Sequence, residues 1–299
     1  MSAGSVIGSN VRLALSNNGS VARFLRSKQG LFGVGTLLVL VLVSLAAPWI
    51  SPFSGYDTSS PELLPPSSEH LMGTDDIGRD VLSVMLYGTG RTVFAGLISV
   101  LIAFCIGCTV GALAGYFGGW VEAVLMRVTE LFQTLPALVL ALFIVAIYGS
   151  NTVVLILVIS LAIWPLEARI VYGQVLLYRS RPFVDAAITT GYRPFTVIVR
   201  EILPNAMPPV MVQLSLDGGL ALLYQVALNF LGFGSAKDPS WGQLMNVGQS
   251  YLSTAWWISI FPGVATSIAI VGFSLIGDAI NRATSPYDHK PNIFRKQRR

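Results

Sequence analysis

Apolar residues are gathered along the chain into long blocks from which charged side chains are absent. These charge-free blocks cover residues 29–56, 92–121, 131–166 and 239–277. A helix needs about 20 apolar residues to cross the hydrocarbon core of a bilayer, so each block holds at least one span, and the third has room for two. With one further apolar stretch, the pattern predicts six transmembrane helices, at roughly 31–50, 93–115, 128–148, 153–173, 208–232 and 257–277.

The composition favours a membrane protein and excludes a soluble one. Of the 299 residues, 53% are hydrophobic and 11% are charged, whereas soluble domains carry about 25% charged residues. The net charge of +4 could indicate a nucleic-acid partner. The basic residues are concentrated in particular loops, however, which is a signal of membrane topology. We therefore expect the lipid bilayer, and no nucleic acid, as a partner.

The charges of the loops predict the orientation of the chain. The N-terminal lead, the 174–204 segment and the C-terminal tail are rich in Arg and Lys, whereas the 51–91 loop has six acidic residues and only Arg79 and Arg91 as cations. Segments rich in Lys and Arg remain on the cytoplasmic side. Six spans place all three basic segments on one side, and an odd number would not. Both termini are therefore predicted to be cytoplasmic.

These boundaries divide the chain into five parts. The polar lead of about 30 residues is too long for a secretion signal, so the first apolar block is interpreted as an uncleaved span. The prolines of the external loop predict an irregular segment rather than a folded domain. The expected parts are a cytoplasmic N-terminal segment 1–30, a first transmembrane helix 31–50, an external loop 51–91, a five-helix core 92–280 with the loop 180–204, and a basic cytoplasmic tail 281–299.

The loop between the fourth and fifth spans has the pattern of two short helices joined by a bend. Pro182 suits the first position of a helix, and Asp185 lies in the early turns, where negative charge is favourable. Gly191 can adopt the left-handed conformation that closes a helix. Pro194 is expected to begin the second helix and Pro204 to end it. On this basis alone, a helix at the membrane interface and a docking element are equally good interpretations.

The spacing within this loop resembles the EAA loop of bacterial ABC-importer permeases. Asp185-Ala186-Ala187 is followed by Gly191 in the fourth place after Ala187, and Leu203-Pro204 come twelve and thirteen residues after that glycine. The family usually has Glu first, and Asp185 keeps the charge on a shorter stem. In that family the loop forms the coupling helix that docks into a cleft of the ATP-hydrolysing subunit. The resemblance implies an ATPase-coupling role for Asp185, Ala186, Ala187, Gly191, Leu203 and Pro204.

A second resemblance lies in the external loop. The run from His70 to Ser83 is similar to the external segment of the C-type permeases of dipeptide/oligopeptide importers, and Asn229–Gly234 also resembles that group. Two positions depart from its pattern: Val84 stands where Arg is common, and Lys237-Asp238-Pro239 replaces a more proline-rich approach to Trp241. Both departures put the substrate or partner in doubt more than the class. The external family motif consists of Gly73, Thr74, Asp75, Gly78, Arg79 and Asp80.

The local chemistry of this motif also has a purely structural interpretation. Asp76 or Thr74 can cap a following helix, while Gly73 and Gly78 bend the chain. The acids do not have the regular spacing of a calcium loop, so no metal site is expected. The segment is predicted to be a turn and helix cap that also contacts a partner.

Asp217 is the sole charged residue within the fifth span. A charge at membrane depth is costly and faces a protein interior or an aqueous cavity. Asp217 is therefore either part of the translocation pathway or a subunit contact, or it is packed and hydrogen-bonded across Gly218 and Gly219. Near the end of the fourth span, Glu167 is expected to pair with Arg169 or another loop cation.

Sequence signals of catalysis are absent. No Walker A motif occurs, His70 and His289 lie far apart, and no Ser-His-Asp pattern is evident. We therefore expect no catalytic residue, no bound cofactor and no enzymatic activity, with ATP used by partner subunits.

The sequence thus predicts an all-α integral membrane protein resembling the permeases of type I ABC importers. The resemblance implies half of a translocation pathway for peptides or peptide-like solutes in the bacterial inner membrane. The implied partners are a second, B-type permease subunit, two ATP-binding subunits and an external solute-binding protein. Nickel complexes, glutathione or another small solute remain alternative substrates. A secondary transporter or a membrane scaffold remains an alternative class.

Overall fold

A computed structural model describes residues 17–234 and 238–284, with no description of the side chains of residues 17–20. Within these ranges all regular secondary structure is helical, residues 51–80 are irregular, and the one β-contact is an isolated bridge between Thr74 and Asp80. The described helices are α1 Asn17–Arg26, α2 Lys28–Ile50, α3 Val81–Phe117, α4 Gly119–Thr134, α5 Ala137–Tyr148, α6 Thr152–Arg179, α7 Pro182–Thr189, α8 Pro194–Phe230, α9 Trp241–Gly248 and α10 Trp257–Thr284.

The predicted all-α membrane architecture is confirmed. In the part of the chain that the structure describes, α2, α3, α6, α8 and α10 are each long and apolar enough to cross a membrane. The predicted third span, 128–148, is not one straight helix, because α4 and α5 meet at an angle of 88°. Leu135 has extended backbone angles ahead of Pro136, as expected for a residue whose helical conformation clashes with a following proline ring.

Helix packing shows that the bent pair α4–α5 nevertheless completes a crossing. Gly107 of α3 lies against Glu167 of α6, and Gly115, two turns later, lies against Val175. The two helices therefore run in the same direction, and the chain must return between them through α4 and α5. Gly30 at the start of α2 lies beside Ala279 near the end of α10. The first and last spans thus begin and end on the same side, as an even number of crossings requires.

Several helices extend beyond their predicted bounds. α3 begins at Val81 rather than near 93, so residues 81–91 of the predicted external loop are helical. α8 begins at Pro194 and continues to Phe230, well before the predicted start at 208. Periodic hydropathy marks the apolar part of a helix and not the polar turns at its ends, which explains these differences. Residues 1–16 and 285–299, which belong to the predicted terminal segments, lie outside the described residues.

The most extensive contact between helices joins α3 to α6. Three glycines of α3 make this contact close. A Cβ atom built on Gly107 would lie 2.8 Å from the Cβ of Glu167, one on Gly111 would lie 2.8 Å from that of Val171, and one on Gly115 would lie 2.9 Å from that of Val175. Small residues spaced four apart allow helix backbones to approach each other in a membrane.

The two ends of the bundle differ in character. One end, called here the basic end, carries α1, the start of α2, the loop between α6 and α8, and the end of α10. Its described cations include Arg23, Lys28, Arg181, Arg193 and Arg282. The other end, called the loop end, carries residues 51–80, the α5–α6 connection and residues 231–256 where they are described.

Candidate functional site

α7 is a short helix with well-defined ends at the tip of the basic end. Arg181 is extended and precedes Pro182 at the first helical position, as predicted. Gly191 has φ +86°, which confirms its predicted left-handed closing conformation. The N–H of Tyr192 donates to the carbonyl of Ala187 at 3.1 Å, and that of Gly191 donates to Ile188 at 2.9 Å. These two bonds form a Schellman motif, which fixes how the chain leaves the helix.

The two faces of α7 have different surroundings. Val184 and Ala187 are buried in an apolar cluster with Val197 and Ile202 of α8. On the other face the motif residues Asp185, Ala186 and Gly191 are exposed. The helix is therefore attached to the bundle through one face, and its other face is exposed.

Large apolar side chains surround the exposed face of α7. Phe183, Ile188 and Tyr192 are 39%, 49% and 46% exposed, and Phe195 at the start of α8 is 74% exposed. Exposed apolar side chains that lie together on a tip outside the apolar spans are a feature of protein interaction sites.

The second helix of the loop differs from its prediction. Pro194 begins it as expected, but Pro204 does not end it, because the chain continues as helix to Phe230. Residues Val197–Ile202 form a π-helical turn, and the N–H of Leu203 donates to the carbonyl five residues earlier. This wider turn accommodates a proline that lacks an N–H donor. The side-chain amide of Asn205 donates to the carbonyl of Glu201 at 2.6 Å. Leu203 is half-buried and Pro204 is exposed.

The external motif forms the centre of a hydrogen-bonded segment at the loop end. The hydroxyl of Thr74 donates to the carbonyl of Pro61 and accepts from the N–H of Leu64, both at 2.8 Å. The indole of Trp257 donates to the carbonyl of Thr74 at 3.1 Å. The segment is irregular, as predicted, and these bonds attach it to the start of α10.

Acidic residues of the motif bind groups of the segment itself. Asp75 accepts from the guanidinium Nε of Arg79 at 2.6 Å and from its backbone N–H at 2.8 Å, and both side chains are buried. Asp80 caps α3 by accepting from the N–H of Ser83 at 2.8 Å, and it lies 3.0 Å from the ring Nδ1 of His70.

The expectation that Asp76 or Thr74 caps the helix is therefore wrong, because α3 begins later, directly after Asp80. Asp76 is half-buried, and its pKa is raised by burial and then by the neighbouring Asp75 carboxylate. The predicted bends are confirmed, since Gly73 and Gly78 have φ +75° and +78°. The buried part of the motif thus holds the segment together.

Asp217 lies in the interior of the bundle and not on its surface. It is 2% exposed, and the side-chain amide of Gln213 donates to it at 2.8 Å. The carboxyl group of Glu167, 1% exposed, is near that of Asp217, and neither of its oxygens has a hydrogen-bond partner among the described residues. The expected pairing of Glu167 with Arg169 is not seen among the described ion pairs, because Glu167 faces α8 while Arg169 is exposed. Asp217 is thus packed in the interior, but its hydrogen bond comes from its own helix and not across Gly218 and Gly219.

The structure brings the two predicted groups of residues to opposite ends. Asp185 to Pro204 lie at the basic end and Gly73 to Asp80 at the loop end, joined by the long helices α3, α6 and α8. Sequence reasoning missed the α3 glycines and the Glu167–Asp217 proximity. The first had a readable signal in the G-x₃-G-x₃-G spacing, whereas the second depends on tertiary packing.

The fold is that of a multi-pass, all-helical membrane protein, and comparison with known families and structures identifies it as a component of an ABC importer with the type I permease fold. Residues 107–286 match the family described as binding-protein-dependent transport system inner membrane component. Residues 20–66 match the N-terminal TM domain of oligopeptide transport permease C. The chain therefore belongs to this family of inner membrane transport components.

Several transport permeases are similar in sequence to this chain over most of its length. The probable D,D-dipeptide transport system permease protein DdpC of Escherichia coli is 37% identical over 84% of this chain and 85% of its own length. The dipeptide transport system permease protein DppC of Bacillus subtilis is 35% identical over 88% and 83%. The glutathione transport system permease protein GsiD of Pectobacterium atrosepticum is 32% identical over 88% and 89%.

Among solved structures, a chain of the MetNI methionine ABC transporter in an inward-facing conformation shares the fold. Its TM-score is 0.57 at 20% identity, with 68% of this chain and 96% of that chain covered.

Proposed function

We propose that this chain forms half of the translocation pathway of an importer for peptides or peptide-like solutes, and that it has no ATPase site of its own. Its relatives are named for D,D-dipeptide, dipeptide and glutathione transport, which supports a peptide-like substrate. Glutathione is the alternative substrate that one of these names favours. Nickel complexes or another small solute are further alternative substrates.

The proposed assembly contains a second, B-type permease subunit, two ATP-binding subunits and an external solute-binding protein. The basic end faces the cytoplasm, so that both termini are cytoplasmic and the loop end meets the external protein. The concentration of Arg and Lys at the basic end supports this orientation.

The observation that carries the proposal is the two-faced geometry of α7. Its buried face, with Val184 and Ala187, transmits force to α8, because both residues pack against the first turns of that helix. Its exposed face, with Asp185 and Ala186, docks on an ATP-binding subunit. ATP-driven closure of that subunit then moves α7 and α8 together, provided that the loop binds the two ATPase states with different affinity.

The test is a charge placed on the exposed face. We expect Ala186→Glu to uncouple the reconstituted importer: uptake of a labelled dipeptide into proteoliposomes falls by about tenfold or more, since a buried unpaired charge at an interface costs several kcal/mol. We expect the variant chain still to insert into the membrane, because Ala186 is exposed and its replacement disturbs no buried contact of the chain.

The matched control is Asn281→Glu, which adds the same charge at an exposed position of the basic end on α10. It should retain uptake. The chemically identical change Ala187→Glu should instead destabilise the chain itself, because Ala187 is 8% exposed. Normal uptake by the Ala186→Glu variant would refute the docking role of α7.

A further inference from the structure

A cavity of about 470 Å³ lies at the basic end, where α1, the start of α2 and the end of α10 meet. The polar residues that line it are Arg23, Ser27, Lys28, Gln29 and Arg282. Three cations thus line one cavity, and no acidic residue is among the described residues that line it. Asp278, one turn before Arg282, is exposed and does not line it.

The charges of Lys28 and Arg282 are not matched inside the described chain. Neither side chain forms an ion pair with a described carboxylate. The positive charges of Lys28 and Arg282 on one cavity attract an anion, although both side chains are exposed and salt screens part of the effect. The cavity therefore has the electrostatic character of an anion site.

Backbone donors add to this character. Ser27 caps α2, and its hydroxyl accepts from the N–H of Gly30 at 3.1 Å. The N–H groups of the first turn lie at the end of α2 that lines the cavity, and the positive end of the helix dipole favours an anion there. A phosphate, with several acceptor oxygens, matches guanidinium, ammonium and backbone donors together.

The position of α1 indicates a lipid as the source of the phosphate. Val21 and Leu25, one turn apart on α1, are 58% and 56% exposed, while Phe24 packs near Gly30 of α2. A short helix with exposed apolar residues beside Arg23 and Arg26 suits the plane of a membrane interface. The adjoining α2 enters the apolar region within its first turns, so the cavity lies at headgroup depth.

We propose that this cavity binds the phosphate of an anionic phospholipid headgroup between Arg23, Lys28 and Arg282. The bound lipid holds α1 against the end of α10. Its acyl chains lie along the exposed apolar surface of α2, where Leu31 and Phe32 are 53% and 61% exposed.

The test measures lipid binding to the full-length chain in neutral detergent by native mass spectrometry. Phosphatidylglycerol and phosphatidylcholine are titrated separately. We expect the chain to retain one phosphatidylglycerol more tightly than phosphatidylcholine. The triple variant Arg23→Gln, Lys28→Gln, Arg282→Gln should lower the affinity for phosphatidylglycerol by about tenfold or more, since each basic residue near an anionic lipid adds to the attraction.

The control is a second triple variant, Arg127→Gln, Arg169→Gln, Arg200→Gln, which removes the same net charge at exposed positions that do not line the cavity. It should retain the lipid, and an equal loss in both variants would overturn the site. The single change Arg282→Lys, which keeps the charge and the fold, should retain most of the affinity.

Glycerol phosphate, the soluble part of the same headgroup, distinguishes the two sources of phosphate. Weak binding of glycerol phosphate beside tight binding of phosphatidylglycerol supports a lipid site. Equal affinity for glycerol phosphate and phosphatidylglycerol would refute the proposed lipid site, because the cavity would then bind soluble phosphate equally well.

Discussion

Two ion pairs of similar chemistry lie in opposite surroundings in this chain. In the pair of Arg79 with Asp75 the side chains are 7% and 0% exposed, whereas in the pair of Arg127 with Glu130 they are 78% and 46% exposed. Removing one partner of a buried pair leaves an uncompensated charge, which costs about 3–5 kcal/mol, whereas exposed pairs contribute about 0–1 kcal/mol. The two pairs therefore allow the role of the external motif to be measured.

We expect Arg79→Met to destabilise the chain by about 3 kcal/mol, because the Asp75 carboxylate would remain buried without its cation. Arg127→Met should change the stability by no more than about 0.5 kcal/mol. Thermal unfolding of the purified chain, followed by tryptophan fluorescence, measures both. Equal effects of the two changes would contradict a structural role for the pair.

Residue conformations were predictable where the residue type alone decides them. Gly73, Gly78 and Gly191 have the left-handed backbone angles expected at their positions. The cap of α3 was not predictable in the same way, because Asp76 and Asp80 have equal capping chemistry. Which acid caps depends on where the helix begins, and contacts with residues distant in sequence determine that point.

At the scale of the helices, the α3–α6 contact depends on the absence of side chains. Gly111 has no space for a Cβ atom, whereas Gly173 of α6 has no neighbour within 4 Å of the place where its Cβ would be. Neither glycine has a positive φ. The two positions thus differ in packing and not in backbone conformation.

We expect Gly111→Ala to destabilise the chain by about 1–3 kcal/mol, since the added methyl group forces the two helices apart. Gly173→Ala should be neutral or slightly stabilising, because alanine favours helix more than glycine does. The midpoint of thermal unfolding in detergent checks both variants. A similar fall for Gly173→Ala would mean that the penalty does not come from the close contact.

The proline positions show where prediction of the elements reached its limit. Pro136 interrupts an apolar run that hydropathy treats as one span, and the structure bends there by 88°. Pro204 was expected to end a helix, yet a π-helical turn carries the helix past it. Proline indicates a local disturbance of the helix. Whether the chain bends, breaks or continues depends on which neighbours accept the altered hydrogen bonds.

At the scale of the whole molecule, the number of crossings depends on the bent pair α4–α5. Hydropathy predicted six spans, and the loop charges required an even number. The parallel packing of α3 and α6 supports the same number, because it forces a return of the chain between them. Overall architecture was thus predictable from composition and charge. The contacts that join one helix to the next were not, because they depend on shape.

Cysteine labelling in cells tests both the orientation and the sixth crossing. In a Cys105→Ala, Cys108→Ala background, Ser150→Cys probes the α5–α6 connection and Thr189→Cys probes the end of α7, and both positions are exposed. We expect an impermeant maleimide to label Ser150→Cys in intact spheroplasts, and Thr189→Cys only after permeabilisation, because α6 separates the two positions across the bilayer. The reverse pattern would invert the proposed orientation. Labelling of both from the same side would mean that α6 does not cross the membrane, and the permease architecture would then fail.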